Sequence, residues 1–316
     1  MFMILKELCS LNAVSGNEFS LVLYIQGLLK DIGVDNVYID PVGNLVCLSK
    51  GADGAKKIMV SAHVDEVGFQ VIKRISSGKY RLKAVGSVNS KNAIDSIVTD
   101  GNVKGDIKAE SDDVGSYDYD KLYLEIGDDN SLSTGDYLAF NPGFEEDDYF
   151  YKSKALDNRV GCYCLIEQLK RDFKHRADIY YIFTVQEETS FRGCRVARTL
   201  IKPDVHINID TTPVHEMNSV EIGKGVAIKI SDGYVSVPRE DVEFMSSLGN
   251  SNNITYQFEV NDFGLSEAVI TNEYDNGCRD WGISIPCEEM HTEKTKVSKF
   301  DLCQTVRFLN CVLCNL

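Results

Sequence analysis

The sequence lacks any apolar run of the roughly 20 residues that a membrane-spanning helix requires. Its opening segment, MFMILKELCS, is interrupted by Lys6 and Glu7 and does not have the pattern of a signal peptide. The sequence also lacks the G-x-S-x-G, Walker A and dinucleotide-binding glycine motifs, so the chemistry that they support is not indicated. We therefore expect a cytoplasmic protein with no membrane partner.

Basic residues are scarce relative to acidic ones. The chain has 33 Lys and Arg against 48 Asp and Glu, which gives a formal net charge of -15. No run of Lys or Arg suggests a local basic patch. Because a surface of this sign repels polyanions, we expect no nucleic-acid partner.

Cysteine is not scarce, but a disulfide framework is not expected. The ten cysteines occur in a chain without a signal peptide, where reduced thiols are the rule. Cys311 and Cys314 form a C-x-x-C pair inside an apolar helical pattern over residues 300–316. We interpret both as small buried apolar side chains rather than as a metal or redox motif.

Alternating helix and strand patterns predict an α/β protein. Residues 17–30 have helical apolar spacing, with Asn17 as the N-cap. From about 70 to 150 the pattern changes to short alternating segments punctuated by Gly, Asp and Asn, which is typical of a small β domain. The predicted fold class is α/β: a three-layer domain with a central mixed sheet, formed by residues 1–69 and 151–316, and an inserted small β-barrel-like domain of residues 70–150.

Histidine and acidic residues follow three apolar segments that have the character of buried strands. IMVSA leads to His63 and Asp65, IYYIFTV leads to Glu187 and Glu188, and VHINI leads to Asp210. Ligands of open α/β sheets bind beyond the carboxyl ends of the strands. We therefore expect these side chains to gather at one edge of the sheet.

The spacing within each pair suggests a division of roles. Asp65 would share the strand face of His63, where its carboxylate can accept the second imidazole N–H or enter the same site. Glu187 and Glu188 point apart on an extended chain, so one can bind metal while the other takes a proton from water. The alternatives are a structural role for His63, a solvated loop for Glu187 and Glu188, and the start of a turn for Asp210.

Two further candidates lie outside these three segments. Asp157 stands where the helical pattern of residues 155–171 begins, so it is either an N-cap or a carboxylate that bridges two ions. His291 lies in IPCEEMHTEKT, and histidine is the commonest side-chain metal ligand. Of the other histidines, we expect His175 in solvent, because its neighbours are charged, and His206 in the core.

Two histidines and three carboxylates form a donor mixture that suits a pair of zinc, cobalt or manganese ions. The set is His63, Asp157, Glu188, Asp210 and His291. Two ions about 3.5 to 4 Å apart can share a hydroxide and polarise a carbonyl. The sequence thus predicts two divalent metal ions per chain, zinc or cobalt in preference to manganese, and hydrolysis of a peptide or amide bond.

Longer stretches resemble the glutamyl aminopeptidase or tetrahedral aminopeptidase (TET) family of dinuclear metallopeptidases, some members of which are named cellulase M or endoglucanase. The stretches are SAHVDEVGF, KALDNRVGCYCLIE, TVQEETSFRGC, NIDTTP and SIPCEEMHTEKTKVSKFDL. SGNE near the start and DPVGN are also similar. The order and spacing hold over nearly the whole chain, including the β insert.

The resemblance implies how the ligands are divided. His63 and Asp210 would bind one ion, and Glu188 and His291 would bind the other. Asp157 would bridge both ions.

The resemblance also implies the chemistry and the partners. Glu187 would be the general base that activates the shared water, and Asp65 would hydrogen-bond the ring of His63. Similar proteins act on peptides with a free N-terminus and assemble through the inserted β domain. A homo-oligomer, from a dimer up to a dodecamer, is therefore expected.

The chain departs from the family's pattern at positions outside the expected ligand set. These positions are Ser190, the segment 265–268 with Glu267, Glu288, Glu289 and Thr295. We expect them to alter the substrate pocket or a subunit contact rather than the metal ligands.

The hypothesis that follows is a two-metal aminopeptidase that removes N-terminal residues by attack of metal-bound hydroxide. A two-metal deacylase or other amidohydrolase is one alternative, and a shell-forming binding protein without activity is another. The cellulase name is disfavoured, because glycoside hydrolysis normally uses two carboxylates and no metal.

Overall fold

The structure is a computed structural model that describes residues 2–127, 131–141, 143–171, 173–262, 264, 266–268, 270 and 278–316. Leu265, in one of the segments that depart from the family pattern, lies outside these ranges. The helices are α1 (Phe2–Ser10), α2 (Phe19–Asp31), α3 (Ser90–Ala93), α4 (Leu156–Leu169), α5 (Glu187–Ser190), α6 (Arg192–Ile201), α7 (Arg239–Ser251) and α8 (Lys299–Cys314).

The strands form one large sheet and one closed barrel. They are β1 (Val37–Ile39), β2 (Leu45–Ser49), β3 (Lys57–His63), β4 (Gly68–Ser76), β5 (Lys79–Val85), β6 (Ile97–Thr99), β7 (Lys104–Ala109), β8 (Leu122–Glu125), β9 (Tyr137–Phe140), β10 (Glu145–Glu146), β11 (Phe150–Lys152), β12 (Asp178–Thr184), β13 (Val205–Pro213), β14 (Val226–Ser231), β15 (Tyr256–Val260), β16 (Arg279–Glu288) and β17 (Lys296–Ser298).

The large sheet is mixed, and its centre is parallel. Its strand order is β1-β2-β12-β3-β13-β16-β17-β11-β10, with β14 paired to β16 and β15 paired to β14. Strands β12, β3, β13 and β16 run parallel, and the register places Thr184 beside His63 and Asn208 beside Ser61. Each of these strands is an almost continuous buried run, as expected where helices cover both faces.

Helices cover the two faces of the sheet and complete three layers. Helices α4 and α8 pack on one face, where α4 contacts β3 and β13 and α8 contacts β16. Helix α6 packs on the other face, where Cys194, Ala197 and Ile201 join Met59 and Ile182 in an apolar cluster. The predicted three-layer α/β architecture with a mixed central sheet is confirmed.

The barrel closes in the order β4-β5-β8-β7-β6-β9 and has an apolar core of its own. Phe69, Leu82, Ile107, Leu124 and Leu138 are among its buried side chains. The predicted barrel-like β unit is therefore present, whereas β10 and β11 belong to the large sheet. The division of the chain into domains at residues 70 and 150 stays a prediction.

Two local predictions are wrong. Helix α2 begins at Phe19 rather than at Asn17, and no side chain caps it. Cys314 is exposed and Cys311 is partly exposed, because both lie on the outer side of the last turns of α8. No helix in the described ranges is both long and apolar enough to cross a membrane.

The two histidines assigned outside the site differ in outcome. His206 is fully buried, as predicted. His175 is half-buried rather than solvated, because its ring contacts the Ser49 hydroxyl at 2.7 Å and the Ala177 carbonyl at 2.8 Å.

Candidate active site

His63 and Asp210 come from neighbouring parallel strands. His63 is the last residue of β3, whereas Asp210 lies inside β13 rather than beyond its end. The pairing of Asn208 with Ser61 in the register carries Asp210 to the level of His63. As a result, Oδ1 of Asp210 lies 3.5 Å from Nε2 of His63.

Asp157 lies at a break in the backbone at the start of α4. Asp157 (φ -79°, ψ 107°) and Asn158 (φ -119°, ψ 43°) are not helical, and Asp157 does not cap the helix. The Asn158 side chain donates to the Ile209 carbonyl at 2.7 Å and accepts from the Gly161 N–H at 3.0 Å. Asn158 therefore ties this break to the strand that carries Asp210.

The carboxylate of Asp157 lies between two histidines. Its Oδ1 is 3.3 Å from Nε2 of His63, and its Oδ2 is 3.2 Å from Nε2 of His291. Glu188 faces the same second histidine, with Oε2 3.4 Å from Nε2 of His291. The two oxygens of Asp157 therefore face different histidines, one of them His63 and the other His291.

Glu187 and Glu188 lie on the short helix α5, not on the extended chain that the sequence suggested. The carboxylate of Asp65 fixes this turn, because its two oxygens accept the backbone N–H groups of Glu187 and Glu188, each at 3.0 Å. The N–H of Gln186 donates to Glu18 at 3.0 Å. The two acidic side chains still diverge, and Oε2 of Glu187 lies 3.9 Å from Nε2 of His63.

Both histidines are oriented by backbone carbonyls. Nδ1 of His63 contacts the Asp65 carbonyl at 3.1 Å, closer than the Asp65 carboxylate at 3.5 Å. Nδ1 of His291 contacts the Ser87 carbonyl at 3.0 Å. A carbonyl on Nδ1 leaves Nε2 as the ring atom that faces the site, which is a common arrangement of metal-binding histidines.

Burial and mutual repulsion shift the pKa values of the acidic groups. Burial raises the pKa of Glu187 well above its usual value, and Asp210 and Glu188 add to the effect. Burial also raises the pKa of Glu188 to about 7. Burial opposes ionisation of Asp157 as well, but His291 and His63 outweigh it and lower the pKa of that carboxyl.

The same charges act on the histidines in the opposite direction. Burial alone would lower the pKa of His63, but Glu187, Asp157 and Asp210 raise it well above the ordinary value. The pKa of His291 rises to about 9, because Glu188 and Asp157 outweigh burial. In both rings the neighbouring carboxylates favour a positive charge at this place.

The residues present are of the kind that binds divalent cations. Two sets of donor atoms, each within 4.8 Å of one another, share His63: one adds Asp157 and Glu188, and the other adds Glu187 and Asp210. His291 belongs to neither set, although its Nε2 lies 3.2 Å from Asp157 and 3.4 Å from Glu188. Within the described part of the chain, Oε1 of Glu188 is buried without a hydrogen-bond partner. Buried carboxylates in this number are stable only when positive charge compensates them.

A cavity of about 670 Å³ opens over these residues. The sequence did not indicate Lys229 and Glu259, which line it from adjacent strands and lie 3.6 Å apart. Glu18, whose carboxylate accepts the N–H of Gln186 beside the site, was also not predicted. Its only indication in the sequence was the stretch SGNE, which resembles the family.

The departures from the family pattern are distributed unevenly around the cavity. Ser190 lines it. Glu288 instead forms an ion pair with Lys296. The carbonyl of Glu289 accepts from the Thr295 hydroxyl at 3.0 Å, so these two residues serve the turn that carries His291.

Comparison with known proteins places this chain among hydrolases of peptide bonds. Residues 43–308 match the model of the M42 glutamyl aminopeptidase family. A protein of Acetivibrio thermocellus that is named as an aminopeptidase is 33% identical over 99% of this chain and 98% of its own length. The chain belongs to the M42 glutamyl aminopeptidase family, which confirms the resemblance seen in the sequence.

Solved structures share the whole fold. Aminopeptidase APDkam598 from the archaeon Desulfurococcus kamchatkensis has a TM-score of 0.91 at 28% identity, and the match covers 99% of this chain and 94% of that one. A TET1 peptidase of Pyrococcus horikoshii, which can assemble into a tetrahedron or a large octahedral shell, has a TM-score of 0.87 at 23% identity. That match covers 100% of this chain and 99% of the other, and it shows the common fold alone.

Proposed function

We propose that the protein is a two-metal aminopeptidase that removes N-terminal residues from peptides. The observation that carries this proposal is the position of Asp157, whose two oxygens face His63 and His291 separately. Glu188 and Asp210 complete the two sets of ligands. Zinc or cobalt suits this donor mixture best, and manganese is the third candidate. When bound, two such ions supply Lewis-acid activation of water and of the peptide carbonyl.

Glu187 is the proposed general base. Its carboxylate faces His63 across 3.9 Å and is placed at the cavity rather than beside His291. In the reaction it takes a proton from the attacking water and gives it to the leaving amine nitrogen. Burial raises the pKa of Glu187, which makes its carboxylate a stronger base toward the attacking water.

Asp65 is the proposed positioning residue. Its carboxylate holds the N–H groups of Glu187 and Glu188, and its carbonyl orients the ring of His63. A single residue therefore sets the relative placement of the base and of one ligand from each cluster. The sequence suggested instead a contact between the Asp65 carboxylate and the His63 ring. That distance is 3.5 Å, from Oδ1 of Asp65 to Nδ1 of His63.

The proposed substrates are peptides with a free N-terminus, and the proposed assembly is a homo-oligomer between a dimer and a dodecamer. The cavity of about 670 Å³ has room for the end of a peptide chain. The assembly is supported by the shell reported for the related TET1 peptidase.

A paired substrate panel tests the proposal. The protein is loaded with zinc, cobalt or manganese and offered aminoacyl-naphthylamides beside N-acyl amino acids. We expect hydrolysis of the aminoacyl compounds alone. Hydrolysis of the N-acyl compounds alone would favour a deacylase, and two bound ions without turnover of any substrate would favour a binding protein.

A further inference from the structure

A second group of metal-type ligands lies in the core beneath the proposed catalytic centre. Cys194 on α6, His206 on β13 and Glu267 are each fully buried. One donor atom from each lies within 4.8 Å of the other two. We propose that this Cys194–His206–Glu267 cluster binds a third divalent cation, of the zinc type, whose role is structural.

His206 is oriented as a ligand of such an ion would be. Its Nδ1 lies 3.2 Å from Oδ1 of Asp280, and its Nε2 faces the hydroxyl of Ser61 at 2.8 Å. A carboxylate on one ring nitrogen fixes the tautomer and raises the basicity of the other. Both ring nitrogens thus have polar partners, and an ion at this cluster would bind Nε2 in place of its hydrogen bond with the Ser61 hydroxyl.

Glu267 carries the strongest indication of a missing cation. Its Oε2 accepts from the Ser61 hydroxyl at 2.5 Å, and the Asn208 amide lies 3.5 Å away. Among the described residues, its Oε1 is buried with no hydrogen-bond partner. The Thr184 hydroxyl, which also lacks a hydrogen-bond partner among the described residues, lies near this carboxylate and lowers its pKa. An unpaired buried carboxylate oxygen is costly unless a cation or a donor satisfies it.

Cys194 supplies the sulfur ligand. Its thiol has only a weak contact, at 3.8 Å, with the Glu267 carbonyl oxygen. Burial raises the pKa of this thiol well above its usual value, so it stays protonated when no cation is present. When the ion binds, the S–H proton is released to solvent and the sulfur–metal bond forms.

The charges then balance. One thiolate and one carboxylate neutralise a divalent ion, while His206 contributes a neutral nitrogen. Structural zinc sites almost always have four ligands, drawn from Cys, His, Asp and Glu side chains. The cluster supplies three such ligands. The neighbouring oxygen that we assign as the fourth is the Ser61 hydroxyl, which lies between Nε2 of His206 and Oε2 of Glu267.

The site is distinct from the proposed catalytic centre. Ser61 and Asn208 precede His63 and Asp210 by two residues on their strands, so the cluster lies one step further into the sheet. An ion there would join α6 to the strands that carry His63 and Asp210. It would thereby stiffen the floor of the active site without touching substrate.

Cobalt substitution separates this site from the catalytic one. The catalytic ligands are imidazoles and carboxylates, so only a thiolate ligand gives a sulfur-to-cobalt charge-transfer band. We expect the band in the cobalt-loaded wild-type protein, together with three ions per chain. Cys194→Ala should lose the band and one ion. The control Cys164→Ala, which removes an equally buried thiol from α4, should keep both.

The wild-type protein alone suffices if the variant fails to fold. In zinc-loaded protein, X-ray absorption should show one sulfur at about 2.3 Å from part of the zinc. Absence of both the charge-transfer band and the sulfur signal at metal saturation would overturn the proposal. A band that persists in Cys194→Ala would overturn it as well. A band with fewer than three ions supports this site and counts only against the catalytic pair.

Discussion

Asp65 accepts the backbone N–H of Glu187 at 3.0 Å, and the other oxygen of the same carboxylate accepts the next N–H along the chain. The acidic pair is thus held through its backbone, while its side chains stay available to the site. A short helix of four residues is too small to hold this geometry without such an anchor.

Replacing Asp65 by Asn should impair catalysis more than stability. The amide nitrogen of Asn cannot accept, so one of the two N–H groups loses its partner and the turn shifts. We expect kcat to fall by about 10–100-fold, the usual cost of losing a residue that orients ligands. Steady-state kinetics measure the effect, and an unchanged kcat would remove Asp65 from the positioning role.

Replacing Glu187 by Gln should remove turnover but not metal. Gln cannot take a proton from water, and a general base typically contributes about 10²–10⁴-fold to the rate. We expect kcat to fall by that factor while the metal content stays at that of the wild type. Glu243→Gln, an exposed change on α7, is the matched control. Wild-type activity in Glu187→Gln would show that another group accepts the proton.

Removing the metal should abolish activity and lower the melting temperature. Asp157, Glu187, Glu188 and Asp210 are buried together, so their repulsion is uncompensated without cations. Binding of ions to the folded state alone stabilises it by mass action. Thermal unfolding before and after chelation, followed by addition of zinc or cobalt, measures both effects. Full activity in the presence of a strong chelator would contradict the two-metal assignment.

Glu18 should make stability depend on pH. Burial, and then the nearby Asp65, raise the pKa of Glu18 from 4.5 to about 7 in the folded state. The folded protein therefore binds more protons than the unfolded chain between these values, and its stability falls as the pH rises through that window. Glu18→Gln removes this pH dependence because an amide does not titrate. Its oxygen can still accept the N–H of Gln186, so the hydrogen bond is kept.

The comparison is made by denaturant unfolding at pH 5 and pH 8. From pH 5 to pH 8, the free energy of unfolding of the wild type should fall by about 2 kcal/mol more than that of Glu18→Gln, because one pKa unit corresponds to about 1.4 kcal/mol. Glu243→Gln should show no such change. An equal pH dependence in Glu18→Gln and the wild type would mean that Glu18 stays ionised in the fold.

The layers, and the positions of His63 and Asp210 as candidate residues at neighbouring strands, could be predicted from the sequence because each has a local signal. IMVSA and VHINI are apolar runs that end near His63 and Asp210, and parallel strands bring such ends to one edge. The lateral register was not predictable, since it depends on pairing between segments that are far apart. The contact between Ser61 and His206, across 145 positions, is of that kind.

The start of α2 was predicted wrongly because two neighbouring polar residues, Asn17 and Glu18, can each accept backbone N–H groups there. Asn17 has the side chain of a common N-cap, but the helix begins two residues later. Glu18 has the longer side chain, and its carboxylate instead accepts the N–H groups of Gly16 and Gln186. Nothing in the local sequence indicates that a carboxylate at residue 18 will serve a turn 168 positions away.

The contact between His291 and the Ser87 carbonyl joins the barrel side of the molecule to the sheet side. Ser87 follows β5 of the barrel by two residues, whereas His291 follows β16 of the sheet. The contact of the His291 ring with the barrel and the binding of an ion by the same ring would be thermodynamically linked, and each would affect the other equally. If the subunits of the proposed homo-oligomer contact one another through the barrel, a shift of the barrel would weaken the binding of an ion by His291. Binding of that ion would in turn favour the subunit arrangement in which His291 keeps its contact with the Ser87 carbonyl.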